Sequence, residues 1–172
     1  MPSRKGISTM IRVLFILLLL IPVTAFPFQN EPTGFRSIPW DSPINGIAGL
    51  RPVGEPGGQV LRYMKMDETF THEGITLAEI NYVAEQGRFI EAVTQFDCEQ
   101  YGSLKKMLKK KYGPAATTRK GSTTWSGKVT TVTLGPTVAT SEKTPTAEPR
   151  LCTLTYSSTP YLRKNDPHQK GK

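Results

Sequence analysis

The sequence predicts an α+β fold in which an antiparallel sheet of about five or six strands carries one long and one short helix on one face. Three observations lead to this prediction. Residues 75–97 alternate between apolar and polar positions around a turn, residues 101–112 change to a three- and four-residue repeat, and short alternating runs return from residue 123. The predicted element order is αβββαβββ, in a single domain over residues 26–158.

The first 25 residues are predicted to be a signal peptide and not part of the fold. Three basic residues precede an apolar run at residues 13–21, and small residues at 23–25 suit a signal peptidase. The run is about half the roughly 20 residues that span a bilayer. We expect cleavage after Ala25, and hence a periplasmic or secreted protein with no transmembrane span after cleavage.

One short helix and one strand are predicted before the central hairpin. Ser42 can cap a helix and Pro43 can occupy its first position, so we predict a helix to about Leu50. Residues 51–59 are rich in Pro and Gly and are predicted to form a loop, whereas residues 60–66 are predicted to form a strand.

Residues 75–85 and 88–97 are predicted to pair as a hairpin. A two-residue loop would place apolar and polar residues on the same face, because the register decides which side chains share a face. A three-residue loop with Gly87 in the left-handed conformation avoids this, since it pairs Tyr82 with Ile90.

The long helix is predicted to follow this hairpin. Asp97 can cap its start, and Gly113 followed by Pro114 ends it. Its apolar stripe comprises Tyr101, Leu104, Leu108 and Tyr112, with Met107 alongside. The opposite side is a basic face formed by Lys105, Lys106, Lys109 and Lys110.

The remaining strands are predicted after the helix. Residues 123–125 and 128–134 form a second hairpin, and residues 151–158 form the last strand. Residues 137–149, rich in Thr, Ser and Pro, are predicted to be a mobile insertion, and residues 159–172 a disordered basic tail.

The two cysteines, Cys98 and Cys152, leave two alternatives open. In an exported chain they can form a disulfide, because both are predicted near strands of one sheet. The other alternative is two buried free thiols, since Cys98 could lie beyond the strand end and out of reach.

No catalytic motif is present, and we expect neither an enzyme nor a cofactor. The chain has two histidines, no Cys-x-x-Cys, and no phosphate loop or nucleophile elbow. Asp67, Glu68, His72 and Glu73 form the one cluster that could supply metal ligands. Their spacing matches no known metal site, so we predict a solvated acidic loop and no metal.

Charge is unevenly distributed along the chain. Residues 26–99 carry eleven acidic and five basic residues, whereas residues 100–141 carry eight basic residues and no acidic ones. Such asymmetry can steer association with an anionic partner. The alternative is a basic face that is only solvated. Nucleic acid is not expected as a partner, because the predicted signal peptide directs the chain away from it.

Several motifs carry a family resemblance, and they span most of residues 35–158. They are Phe35-Arg36-Ser37-Ile38-Pro39-Trp40, Gly87-Arg88-Phe89, Tyr112-Gly113 and Trp125-x-Gly127-Lys128-Val129. With them the chain resembles a family of small exported proteins of Gram-negative bacteria, whose members carry FRGIxWG, NGRF and LKxxLxxKYG motifs. The resemblance implies a periplasmic location and one α+β domain, and it brings no catalytic residues.

The leading hypothesis is therefore a non-catalytic periplasmic binding or structural module. Its candidate partner is an anionic envelope surface, contacted by the basic face, with Val83 and Phe89 as possible additions from the hairpin. The alternative is an inhibitor or chaperone-like accessory that binds a specific envelope protein through the sheet face. Salt separates the two, because screening weakens electrostatic attachment more than an apolar interface.

Overall fold

The computed structural model describes residues 28–54, 58–115, 117–119, 121–136 and 151–165. The predicted signal peptide, the predicted insertion and the end of the predicted tail lie outside these residues. Among the described residues, no helix is long and apolar enough to cross a membrane.

Strands dominate the described chain. They are β1 Gly34–Phe35, β2 Ile38–Pro39, β3 Leu50–Val53, β4 Val60–Lys65, β5 Thr71–His72, β6 Ile75–Thr76, β7 Glu79–Glu85, β8 Arg88–Asp97, β9 Thr117–Arg119, β10 Ser122–Ser126, β11 Thr130–Pro136 and β12 Leu151–Ser158. The helices are α1 Tyr101–Tyr112 and α2 Thr159–Lys164, and short 3-10 helices lie at Ile44–Gly46 and Cys98–Gln100.

Eight of these strands form one antiparallel sheet in the order β3-β4-β7-β8-β12-β11-β10-β9. The α+β class is therefore confirmed, and the sheet is larger than the five or six strands predicted. The remaining four strands form two small hairpins, β1-β2 and β5-β6.

One face of the sheet carries the main core. Leu104, Leu108 and Tyr112 of α1 are each at most 1% exposed, as the predicted apolar stripe requires. They belong to one cluster with sheet residues such as Trp125 and Leu154. This burial holds α1 on the sheet and leaves its lysines on the outer side.

The turn between β7 and β8 differs from the prediction. Glu85 pairs with Arg88, so the loop contains only Gln86 and Gly87. Both have positive φ angles, +50° and +74°, as a type I′ turn requires. The predicted three-residue loop is wrong, and Tyr82 pairs with Ala92 instead of Ile90.

A β-bulge resolves the conflict that had argued against a two-residue loop. Val83 pairs with Glu91 but Ala84 pairs with Phe89, which leaves Ile90 as the extra residue. The bulge turns Phe89 to the core side, where it is fully buried and its ring lies 5.8 Å from that of Tyr82. Val83 is also buried, at 7% exposure.

The segment before β3 is less helical than predicted. Only one 3-10 turn forms, and Ser42 does not cap it, because its Oγ donates to the carbonyl of Pro39. The backbone is instead held by the β7-β8 turn, where the Ile44 amide donates to the carbonyl of Gly87. The predicted loop begins with strand β3, in which Leu50 pairs with Lys65.

The end of the described chain is also more ordered than predicted. Residues 159–164, assigned from the sequence to a disordered tail, form α2. Ser158 caps this helix by accepting from the Tyr161 amide, and Pro160 lies in its first turn. The Tyr161 hydroxyl also donates to Glu85, which attaches α2 to the end of the sheet.

Cys98 and Cys152 form a disulfide, with their Cα atoms 5.0 Å apart. They come within reach because β12 lies beside β8, so that Cys152 pairs with Phe96 next to the end of β8. The bond joins the 3-10 turn before α1 to a central strand of the sheet.

Candidate functional site

The basic face of α1 is the candidate site, and the local sequence explains why the helix forms there. Asp97 Oδ1 accepts a hydrogen bond of 2.9 Å from the Glu99 amide and caps the 3-10 turn that leads into α1. Gly113, with a φ of +83°, ends the helix, and Trp125 Nε1 donates to its carbonyl at 2.9 Å. Lysines in the last turn stabilise the negative end of the helix dipole.

The four predicted lysines lie on one side of α1 and have no acidic partner among the residues that the structure describes. Lys106, Lys109 and Lys110 are exposed, whereas Lys105 is half-buried with its Nζ 5.9 Å from the centre of the Tyr101 ring. None of the four forms an ion pair with a described residue. The basic face therefore presents four positive charges on one helix that no described carboxylate compensates.

Lys111 is different from these four lysines. Its Nζ forms an ion pair with Glu73, which lies between β5 and β6. Lys111 thus fastens α1 to the β5-β6 hairpin and is not part of the basic face.

A cavity of about 250 Å³ opens between α1 and β10. Its lining residues are Lys105, Lys109, Pro114, Ala115, Thr123 and Trp125. Trp125 is 1% exposed, and its ring packs edge-on against Tyr112 with centroids 6.3 Å apart. The cavity combines two cationic side chains with an apolar and aromatic lining.

Thr123 is the unusual member of this lining. It is 1% exposed, and its Oγ1 is the one buried side-chain polar atom of the described chain without a hydrogen-bond partner. Leaving a buried hydroxyl without a partner costs roughly 1–3 kcal/mol.

A second cavity, of about 380 Å³, lies at the α2 end of the sheet, beside Trp40, Arg88 and Tyr161. Its polar groups largely bind one another. Arg88 donates to the carbonyl of Asp41, and the Tyr161 hydroxyl donates to Glu85. The lining carries both charge signs and has no evident preference for one ligand class.

Of the acidic residues considered as metal ligands, Glu68 and Glu73 belong to a polar network inside the fold, whereas Asp67 is exposed. Glu68 is paired with Arg36 and accepts from the Tyr82 hydroxyl, while Glu73 binds Lys111. Burial, reinforced by the bond to Glu68, raises the pKa of Tyr82. Among the described residues, no group of three or more His, Cys, Asp or Glu could hold a metal ion.

His72 extends this network. Its Nε2 lies 3.0 Å from the Tyr156 hydroxyl, which lies 3.3 Å from the Tyr112 hydroxyl. Burial lowers the pKa of His72 to about 4, with the charge of Glu73 acting in the opposite direction. The imidazole is therefore neutral at pH 7, and its place between packed rings indicates a structural role.

Sequence reasoning named part of the candidate site and missed the rest. The helical repeat correctly places the four lysines together, but Val83 and Phe89 are buried and do not join them. The cavity was missed because only the order of strands in the sheet brings Thr123 close to α1. The sequence signal was limited to the alternation of Thr123 with Trp125.

No protein-family model matches the chain, and searches of curated proteins and of solved structures find no match either. The function is therefore inferred from the chain's own residues and their geometry.

Proposed function

We propose that this protein is an exported, non-catalytic module that attaches to an anionic surface of the cell envelope through the basic face of α1. The observation that carries the proposal is the set of four lysines without acidic partners in the described part of the chain. Elsewhere in the described chain, Arg36, Lys65 and Lys111 each lie within ion-pair distance of a carboxylate. Charges that are left uncompensated on one face attract an anionic partner.

The rigid mounting of α1 supports a binding role. The helix is held by its buried leucines, by the ion pair of Lys111 with Glu73, and by the disulfide just before its first turn. The lysines therefore share one fixed backbone, so less backbone ordering is needed when a partner binds.

Two features support the exported location. The N-terminal residues match the pattern of a signal peptide. The Cys98–Cys152 disulfide is the kind of bond that persists in the periplasm and outside the cell. N-terminal sequencing of the exported protein should begin at Phe26, and an intact leader would contradict the predicted cleavage.

The experiment is sedimentation with lipid vesicles, using vesicles rich in phosphatidylglycerol and purely zwitterionic vesicles as a control. The test variant replaces the four lysines of the basic face with Gln. Each lysine near an anionic membrane contributes about 1 kcal/mol. Removing four should weaken binding by up to about a thousand-fold at low salt.

The matched control removes the same charge from exposed positions outside α1. It replaces Arg51, Lys128, Arg163 and Lys164 with Gln; all four are exposed. We expect this variant to keep most of the binding. Equal losses in the two variants would show that the total charge of the protein, and not the basic face, decides vesicle binding. Unchanged binding of the variant that lacks the four lysines of the basic face would refute the proposal.

Salt dependence tests the alternative of a specific protein partner. Attachment through the basic face should weaken steeply between about 0.1 M and 1 M salt, because the Debye length falls from about 10 Å to about 3 Å. The immobilised chain is tested for retention of envelope proteins at high salt. If one envelope protein is retained there, and is also retained by the variant that lacks the four lysines of the basic face, the accessory-protein alternative replaces this proposal.

A further inference from the structure

We propose that the cavity between α1 and β10 binds a single phosphate group, held by Lys105, Lys109 and the hydroxyl of Thr123. This inference rests on the proposed function and names the chemical group that the basic face recognises. It distinguishes one half of that face from the other.

The four lysines divide into two pairs by position. Lys105 and Lys109 line the cavity, whereas Lys106 and Lys110 do not. Within each pair the residues are four apart, so their side chains lie on the same helix face about 5–6 Å apart at Cβ. Like charges at this spacing repel each other. An oxyanion between Lys105 and Lys109 would remove that repulsion and gain two charge-assisted bonds.

Thr123 is an observation independent of the charges. The great majority of buried polar side-chain atoms have a hydrogen-bond partner, so an exception needs an explanation. Thr123 lines the same cavity as the two lysines, and its buried Oγ1 has no partner among the described residues. Because Oγ1 itself is buried, the Thr123 side chain would rotate to donate a hydrogen bond to an anion in the cavity, which would supply the missing partner.

The lining favours phosphate over other ligands. Its described residues include two lysines and no acidic residue, which disfavours a cation. Lysine binds phosphate oxygens as a point charge, and a phosphate carries more negative charge and more acceptor oxygens than a carboxylate. Lys105 and Lys109 of α1 and Thr123 of β10 offer three donors from two elements, enough to bond different oxygens of one tetrahedral group.

The rest of the lining suits the carbon body that carries the phosphate. Pro114, Ala115 and the Trp125 ring supply an apolar side. A volume of about 250 Å³ is below the usual range for drug-sized ligands, roughly 300–1,000 Å³, and fits one small head group. The phosphate can come from a lipid head group, from a phosphorylated envelope sugar or from free phosphate.

The experiment is calorimetric titration of the exported, purified protein with inorganic phosphate, glycerol 3-phosphate and glucose 1-phosphate, with acetate as the carboxylate control. Vesicles containing phosphatidic acid form a separate arm. Tighter binding of an organic phosphate or of the vesicles than of inorganic phosphate identifies the source. Acetate binding as tightly as any phosphate, or no phosphate binding at all, overturns the inference.

Two equal-charge variants test the lysines. Replacing Lys105 and Lys109 with Gln should weaken phosphate binding at least ten-fold. Replacing Lys106 and Lys110 with Gln removes the same charge and should change it by less than about three-fold. Equal losses would mean that the cavity is not the phosphate site.

Thr123→Val and Thr123→Ser test the hydroxyl. Valine has nearly the same shape without the hydroxyl, and we expect a roughly ten-fold loss of phosphate affinity, whereas serine should retain binding. Without ligand, Thr123→Val should be at least as stable as the wild type, because it removes an unpartnered group. A clear loss of stability would show that the hydroxyl is already bonded, and would overturn the inference.

The two proposals can fail separately. If both lysine pairs weaken attachment to phosphatidylglycerol vesicles equally and Thr123→Val leaves phosphate binding unchanged, the cavity inference fails and the proposed function stands. If Thr123→Val weakens phosphate binding about ten-fold but no lysine variant affects the vesicles, the cavity binds phosphate and the proposed function fails.

Discussion

Acid should destabilise this fold through His72. Burial holds the pKa of its imidazole at about 4, against 6.5 for an unperturbed histidine. As the pH falls, His72 is therefore protonated in the unfolded chain at a higher pH than in the folded chain. The stability associated with His72 is fully present above pH 6.5 and is lost between about pH 6.5 and pH 4.

The size of the effect follows from the shift. Each unit of difference between the folded and unfolded pKa values corresponds to about 1.36 kcal/mol. The free energy of unfolding should therefore fall by up to about 3 kcal/mol between pH 7 and pH 4. The charged neighbours of the ring are Glu73, Arg36, Lys111 and Glu68, and the first and last of these raise the pKa. Their contributions are already included in the value of about 4.

The assay is urea unfolding of the wild type and of His72→Gln at pH 7 and pH 4. Glutamine does not titrate but can still hydrogen-bond the Tyr156 hydroxyl. Other groups, such as Glu91, whose pKa burial raises, and His168, are present in both proteins and cancel in the comparison. The wild type should lose more stability than the variant. The same loss in both proteins, or an NMR titration of His72 near pH 6.5, would refute this reasoning.

Three further changes test the fold by urea unfolding at pH 7. Replacing Cys98 and Cys152 with Ser should lower the free energy of unfolding by about 4 kcal/mol, because the disulfide closes a loop between residues 54 apart and so reduces the entropy of the unfolded chain. The absence of any loss would contradict the disulfide. Phe89→Ala should lower the free energy of unfolding by about 3–5 kcal/mol, whereas Val53→Ala, at a side chain 45% exposed, should lower it by less than about 0.5 kcal/mol. Similar losses would place Phe89 outside the core. Gln86→Asn should stabilise the β7-β8 turn by up to about 1 kcal/mol, because asparagine tolerates a positive φ better, and a loss would argue against a type I′ turn.

Local patterns in the sequence were sufficient for the elements that repeat regularly. The predicted strand at residues 151–158 coincides with β12, and the leucine spacing of α1 correctly identifies its buried side. The lysines follow from the same repeat. These features depend on residues only two to four positions apart, so they can be read without knowing the partner strands.

The turn at Gln86 and Gly87 shows where local reasoning fails. Alternation alone favoured a three-residue loop, because it assumed an unbroken ladder. The bulge at Ile90 allows a tight turn and a coherent apolar face together. A bulge changes the register of a strand but leaves too little trace in the local apolar pattern to be recognised. In the folded chain the Phe89 ring packs against the Trp40 ring, with their centroids 5.0 Å apart.

The sequence by itself determined the α+β class, the basic face of α1 and most strand positions, since periodicity encodes which side of an element is buried. Only the tertiary structure decided which distant residues meet. It joined His72 to Tyr156, 84 positions away, and brought Thr123 opposite Lys105 and Lys109. Such contacts depend on the order of strands in the sheet, and that order is decided by how the whole core packs rather than by any local pattern.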